Sequence, residues 1–457
     1  QLGDGTTTDR STPNQTSSLG TATNPRTVAL SERDFDGDGI LNIFDIHRNL
    51  AYSGITISSG MRHACAIVDD ASVSCWGVNS DGRLGDGTTT QRNTPTQTTS
   101  LGTGRTAVAI SSGRLHTCII LDDGDVSCWG NNSVGQLGDG TTTQRNTSTQ
   151  TLSLGSGRTA VAISSGGEAT CAILDDGSVS CWGDNQYGQL GDGTNTDRSA
   201  PSQTSSLGTG RTAVSISSGG SRTCAILDDG SVSCWGRNLY GGLGDGTNTN
   251  RNTPTQTSSL GTGRTAVAIS AGASHTCAIL DDDSVSCWGD NWYGQLGDGT
   301  NTERNRPTQT SSLGTGRTAV AISPGFGHTC AVLDDGSVSC WGYNYYGQLA
   351  DGTTTDQNTP TQTMSLGTNR TAVTISSGLH YSCAILDNAS VSCWGANGDG
   401  RLGDGTNADR GTPAQTSSLG KNQTALLVDG DTDSDGTLDY LDDFPNNSIR
   451  SIACTSG

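Results

Sequence analysis

The sequence predicts an all-β chain folded as a β-propeller, one blade for each of seven repeats, and three observations carry that reading. A pair of cysteines ten residues apart recurs seven times at a fixed step of 53 residues, without insertion or deletion. Each pair lies in two short β-rich runs joined by a turn, the pattern of a hairpin. A leading strand and a trailing segment flank each hairpin, and about four strands per unit is the content of a propeller blade. A repeat this regular is an architectural signature that outranks any single-residue motif.

The hairpin comes first because it needs no assumption about the rest of the fold. The leading cysteines are Cys65, Cys118, Cys171, Cys224, Cys277, Cys330 and Cys383, and their partners are Cys75, Cys128, Cys181, Cys234, Cys287, Cys340 and Cys393, each followed by Trp-Gly. In the copy around Cys171, Asp175-Asp176-Gly177 separates the two runs, and a three-residue loop with Gly in the left-handed position closes such a hairpin. That register sets Ile173 opposite Val179, Cys171 opposite Cys181 and Thr170 opposite Trp182. Directly opposed residues bring their Cβ atoms within reach of a disulfide. Reduced thiols or zinc sites are the alternative, but zinc favours Cys-x2-Cys clusters over a wide separation across a hairpin. The loop glycine becomes Ala71, Asp283 and Ala389 in three copies. Asp tolerates positive φ and Ala does so at a cost, so the two alanine loops are expected to differ.

Composition limits the remaining choices. The 457 residues are too many for one ordinary core, but stacked repeats evade that limit. Only 31% of residues are hydrophobic and 65 are glycine, with no amphipathic helix and no apolar run long enough to span a membrane. Fifteen cysteines, fourteen of them in regular pairs, predict an oxidising compartment and an extracellular or cell-surface protein. The net charge of −20 opposes nucleic acid and anionic membranes as partners and suits cation binding.

Along the chain, residues 1–31 read as a partial repeat, since Gln1-Leu-Gly-Asp-Gly matches Gln136 to Gly140 and Gln189 to Gly193. With no Met or signal peptide ahead of it, the chain reads as a mature or excised portion of something longer, or as a product whose leader has been removed. Residues 32–54 form an insertion with the spacing of an EF-hand-like calcium loop. Asp34, Asp36 and Asp38 hold positions 1, 3 and 5, with Gly39 at 6, the Ile40 carbonyl at 7, Asn42 at 9 and Asp45 at 12. The propeller occupies 55–428. Residues 429–447 repeat the calcium pattern with Asp431, Asp433, Asp435, the Thr437 carbonyl, Asp439 and Asp442. Both segments resemble the calcium loops of dockerins and thrombospondin type 3 repeats; the bland alternative is a solvated acidic linker. The tail 448–457 carries the odd cysteine, Cys454.

Within one repeat stand Gly272, His275, Thr276, Ala278, Ile279, Trp288, Gly289, Asn291, Gly294, Gln295, Leu296 and Gly297. In this pattern the repeats resemble the regulator of chromosome condensation family, and the resemblance implies a seven-bladed β-propeller. The cysteine pair departs from the family and suggests an extracellular branch. The founding member's chromatin binding and nucleotide exchange do not carry over to an acidic, disulfide-bonded chain.

Candidate chemistry is sparse. His63, His116, His275 and His328 hold one equivalent position, replaced by Ala169 and Arg222 in two copies. A ring disperses them, and the family implies a structural hydrogen-bonding role. The Cys-Trp-Gly tryptophans are read as packing between blades or at their rim. Trp292, Tyr293, Tyr343, Tyr345 and Tyr346 vary between copies, and variable loop positions are where a binding face is written. The Gly-Asp-Gly-Thr loops lack the helix and Lys of a phosphate-binding P-loop. Sequons at Asn14, Asn131, Asn146, Asn369, Asn388, Asn422 and Asn446 offer sites for glycans. No catalytic arrangement stands out, so an enzyme is not expected.

Two functions follow. The first is an extracellular structural protein, a surface, adhesion or filament subunit that self-associates head-to-tail through residues 1–31 or the calcium linkers, or meets other surface proteins. The alternative is a secreted protein-binding module, such as an enzyme inhibitor or adhesin, that uses one propeller face. Aromatics gathered on one face favour the module; aromatics scattered around the rim favour assembly.

Overall fold

The computed structural model describes residues 56–68 and 70–419. The partial repeat, both calcium segments with all their ligands, and Cys454 lie outside the described residues, as do the sequons at Asn14, Asn422 and Asn446. Seven four-stranded antiparallel sheets follow one another along the chain, each made of four consecutive strands. The third blade shows the plan: Ala160–Ser165, Ala169–Leu174, Val179–Gly183 and Arg198–Gln203, in that spatial order. The first strands lie beside one another around the ring, so they are innermost. In the outermost strands of six blades a proline sits on the exposed edge, as in Arg251–Gln256, where it removes a donor from the open side of the sheet.

The hairpin has the register that the sequence predicts. Ile173 faces Val179, Cys171 faces Cys181 and Thr170 faces Trp182. All seven cysteine pairs are disulfides, with Cα atoms 4.0–4.1 Å apart. The expected difference at the alanine loops does not arise. Ala71 (φ 58°), Asp283 (63°) and Ala389 (61°) adopt the left-handed conformation that Gly177 takes at 74°. The turn's hydrogen bonds impose it: Ala71 and Ala389 donate to the carbonyls of Val68 and Leu386 at 2.7 and 2.8 Å, as Gly177 donates to Leu174.

The apolar core is divided into seven layers, one between each pair of neighbouring blades. In one such layer Cys65, Ile67, Val73, Cys75 and Leu84 of the first blade pack on Ala107, Ile110, Ile119, Leu121 and Trp129 of the second. Each disulfide thus faces the following blade and each Cys-Trp-Gly indole faces the preceding one. The indole N–H of Trp129 donates to the Arg83 carbonyl at 2.9 Å, and Trp341 and Trp394 repeat the bond to Gln295 and Gln348. The seam between the last and first blades has the same parts. Ile57, Ala64, Ala66 and Trp76 pack on Tyr381, Cys383, Ile385 and Cys393, and Trp76 donates to the Arg401 carbonyl at 2.9 Å. The ring therefore closes within the described residues, with no strand exchanged between its ends.

Near the axis, a serine of each innermost strand accepts a backbone N–H from the next blade. Ser111 Oγ takes the N–H of Ser165 and Ser164 that of Ser218, both at 2.8 Å, and across the seam Ser376 takes that of Ser59. The one break is at Pro324, which has no N–H to give to Ser270. The histidines form a second circle. His63, His116 and His275 reach Thr117, Thr170 and Thr329 of the following blade at 2.7–2.9 Å. Those threonines donate their own protons to the carbonyls of Arg83, Gln136 and Gln295, so each histidine is a neutral ring that donates from Nε2. The Gly-Asp-Gly-Thr loops are knit from within. Asp139 accepts from Asn132, from the backbone and hydroxyl of Thr141, and from Arg145, leaving no cradle for phosphate.

Candidate interaction face

The turns after the innermost strands and the loops after the Trp-Gly strands emerge on one side of the ring, around an axial funnel of about 580 Å³. A collar of backbone bonds tightens its throat. Met61 donates to Gly113, Ala273 to Gly325, Phe326 to Gly378, and Leu379 back to Met61 across the seam. Between the fourth and fifth blades a side chain does this work. Arg222, buried where other copies have histidine, donates to the carbonyls of Gly272, Ala273 and His275 and to Thr276 Oγ1.

The five variable aromatics all lie on the loops of this face, in the fifth and sixth blades. The structure brings four of them into one cluster: Tyr293 and Tyr343 have ring centroids 4.6 Å apart, Tyr343 and Tyr345 6.5 Å, and Tyr345 and Tyr346 5.0 Å. Trp292 stands beside it, edge-on to Tyr240 of the fourth blade at 6.0 Å. The cluster extends into the seventh blade through His380, which touches Tyr343, Tyr346 and Phe326 at 5.1–5.5 Å. On the other flank the Arg237 guanidinium lies over the Tyr187 ring at 5.1 Å. The aromatic run thus crosses from the third blade to the seventh. Its outer members are open to solvent: Trp292 is 62% exposed, Tyr345 66% and Phe326 43%. Burial, reinforced by Arg401, lowers the His380 pKa to about 4, so this ring is uncharged at neutral pH. Burial and the neighbouring tyrosines, with Asp356 nearby, push Tyr343 upward.

The rest of the face is ionic. Arg62 pairs with Asp399 at 2.5 Å, Arg401 meets the same carboxylate, Arg83 pairs with Asp81, and Arg114 with Glu168 at 3.4 Å. The opposite side of the ring is uniform. At the hairpin tips the arginine before the innermost strand of six blades pairs with tip aspartates, as Arg158 does with Asp175 and Asp176. The clustered aromatic variation lies on the funnel side.

Tyr187, Tyr240, Phe326, Arg237, His380 and Glu303 were not picked out in the sequence. Phe326 and His380 depart from the repeat, lying in the short turn ahead of the second strand where no other copy has an aromatic ring, whereas Tyr187 and Tyr240 hold the repeat position of Tyr293 and Tyr346. Among the described residues no three His, Cys, Asp or Glu side chains come together as a metal site. Among the described residues no helix is long and apolar enough to cross a membrane.

Fold and face together define a disulfide-pinned seven-bladed propeller with one variable, aromatic side. The chain belongs to the RCC1-like domain family: residues 1–309 match that domain, and 319–348 and 335–385 match the regulator of chromosome condensation repeat. It is 32% identical over 377 residues to the ultraviolet-B receptor UVR8 of Arabidopsis thaliana, covering 82% of this chain and 83% of that one. It is 31% identical over 333 residues to the human E3 ubiquitin-protein ligase HERC2, but spans only 7% of its length. Yeast RCC1 (Prp20), solved with Kap60, superposes with a TM-score of 0.67 at 19% identity over 76% of this chain and 84% of its own. Human WBSCR16 gives 0.63 at 22% identity over 72% and 86%. These relatives include a photoreceptor and a segment of a ubiquitin ligase.

Proposed function

We propose that this protein is a non-catalytic binding disc of an oxidising, extracellular or cell-surface compartment, which takes a protein partner on its funnel face. The observation that carries this reading is the aromatic run from the third blade to the seventh. Trp, Tyr and Arg are the residue types that supply most interface energy when gathered in one patch. Gathering on one face, rather than scatter around the rim, favours the binding module over the structural subunit. Seven fully buried disulfides support the compartment. Calcium at Asp34 to Asp45 and Asp431 to Asp442 belongs to the same proposal, as a stiffener of the segments that flank the disc.

The test is a triple variant, Trp292→Ala with Phe326→Ala and Tyr345→Ala, immobilised beside the unaltered chain and exposed to surface extract of the source cells, with calcium and with a chelator. The variant is expected to keep its melting temperature and lose the retained partner. Equal retention by both proteins would overturn the reading.

A further inference from the structure

Resting on that reading, we infer that the partner presents a cationic segment, lysine or arginine side chains, to the aromatic sector of the fifth and sixth blades. The first reason is how Trp292 is held. In four other blades the residue equivalent to Glu303 is an Asp or Asn whose side chain accepts the backbone N–H of the loop asparagine, as Asp197 does from Asn185 and Asn250 from Asn238, both at 2.8 Å. The fifth blade departs twice from this plan, and the two departures bond each other. Glu303, longer by one methylene, takes the indole N–H of Trp292 at 2.9 Å. Asn301 bonds the Trp292 carbonyl and Asp290 its backbone N–H. An exposed tryptophan is thereby fixed in place with a ring face open, which lowers the ordering cost of a contact.

The second reason is charge. The loops that carry these rings hold Asp290, Glu303 and Asp356, and the one imidazole among them, His380, is kept neutral by burial. The funnel cations around it are committed elsewhere: Arg401 meets Asp399, Arg237 lies over Tyr187, and Arg222 is buried on three carbonyls. Open Trp and Tyr faces edged by carboxylates attract a desolvated cation. A chain of net charge −20 steers such a segment inward and repels an acidic one.

Trp292 also supplies the readout, because the other seven of the eight tryptophans are fully buried. Its fluorescence is followed as an oligo-arginine peptide is titrated into the full chain, with oligo-glutamate and a neutral oligosaccharide as comparison probes. Two charge-matched variants locate the effect. Glu303→Gln with Asp356→Asn keeps both acceptors, as Asn250 already does in the fourth blade, and is expected to weaken oligo-arginine about fivefold. Asp176→Asn with Asp335→Asn removes the same charge from the hairpin tips and is expected to change it less than about twofold. Equal losses in the two variants, or a response to the acidic or neutral probe in place of oligo-arginine, would overturn the inference. If oligo-arginine fails while the triple alanine variant still loses its partner from surface extract, only the partner's chemistry is wrong and the funnel face stands.

Discussion

His116 and His328 show what a single repeated residue does here. Each ring is buried and bridges two blades, and burial lowers both pKa values from 6.5 to about 3. The folded protein therefore keeps these rings neutral at pH values where the unfolded chain has taken up protons. Their stabilisation is full above about pH 6.5 and declines as pH falls toward about 3. The carboxylates of the Gly-Asp-Gly-Thr loops, such as Asp139, are held below their ordinary 3.8 and act only at lower pH. Between about pH 6 and 4.5 the loss thus belongs to histidine. Replacing His116 and His328 by Gln is expected to flatten chemical-denaturation stability across that range, by up to about 1.4 kcal/mol per pH unit for each ring. An unchanged slope would show that the rings protonate without unfolding. Ala71 and Ala389 make a different point at the same scale, for a left-handed alanine costs about 1 kcal/mol and is tolerated because the hairpin around it is over-determined.

Among elements, the disulfide hairpin is the unit of stability. Its cysteines face the next blade with no exposed surface, so a reductant reaches them only when the blade layer opens. Thiol labelling under dithiothreitol is expected to find all seven bonds intact in native buffer and reduced in denaturant. Replacing Cys171 and Cys181 together by Ala removes one staple, and a loop of this length is worth about 2–3 kcal/mol in the chain-entropy model. Thermal denaturation of that variant checks the figure, and a loss near zero would mean that interblade packing alone holds the hairpin. The hairpin was also the most legible element, because its pairing is local: opposed cysteines, a left-handed loop position and strand-length runs settle it without reference to any neighbour. Which way each side chain points was not legible, since that depends on the adjoining blade.

For the whole molecule the sensitive place is the seam. Among the described residues nothing covalent joins the last blade to the first, and Tyr381, standing where four other blades have histidine, spans the gap with its hydroxyl on the carbonyls of Gly60 and His63 at 3.1 and 2.5 Å. Burial pushes that phenol upward, so it stays a donor at any ordinary pH. Tyr381→Phe leaves two buried carbonyls without this partner and is expected to cost about 1–2 kcal/mol. Hydrogen exchange should rise first at residues 57–67 and 381–393, whereas an even rise around the ring would show that the seam is no weaker than other interfaces. The seven interfaces are alike because the repeats are alike. The funnel face differs because the tips of its loops, such as Trp292 and Tyr345, stand out of that packing and are free to vary.

The sequence by itself determined the repeat, its hairpin, the disulfide pairing, the four-stranded unit and the family, because each depends on spacing within one copy or on its recurrence. It also singled out five of the aromatics, as departures from an otherwise constant repeat. Only the tertiary structure decided that four of them share one cluster with Trp292 beside it, and that His380, Phe326, Tyr240 and Arg237 continue it. Those residues are tens of positions apart and meet only because ring closure turns equivalent loops toward a common axis.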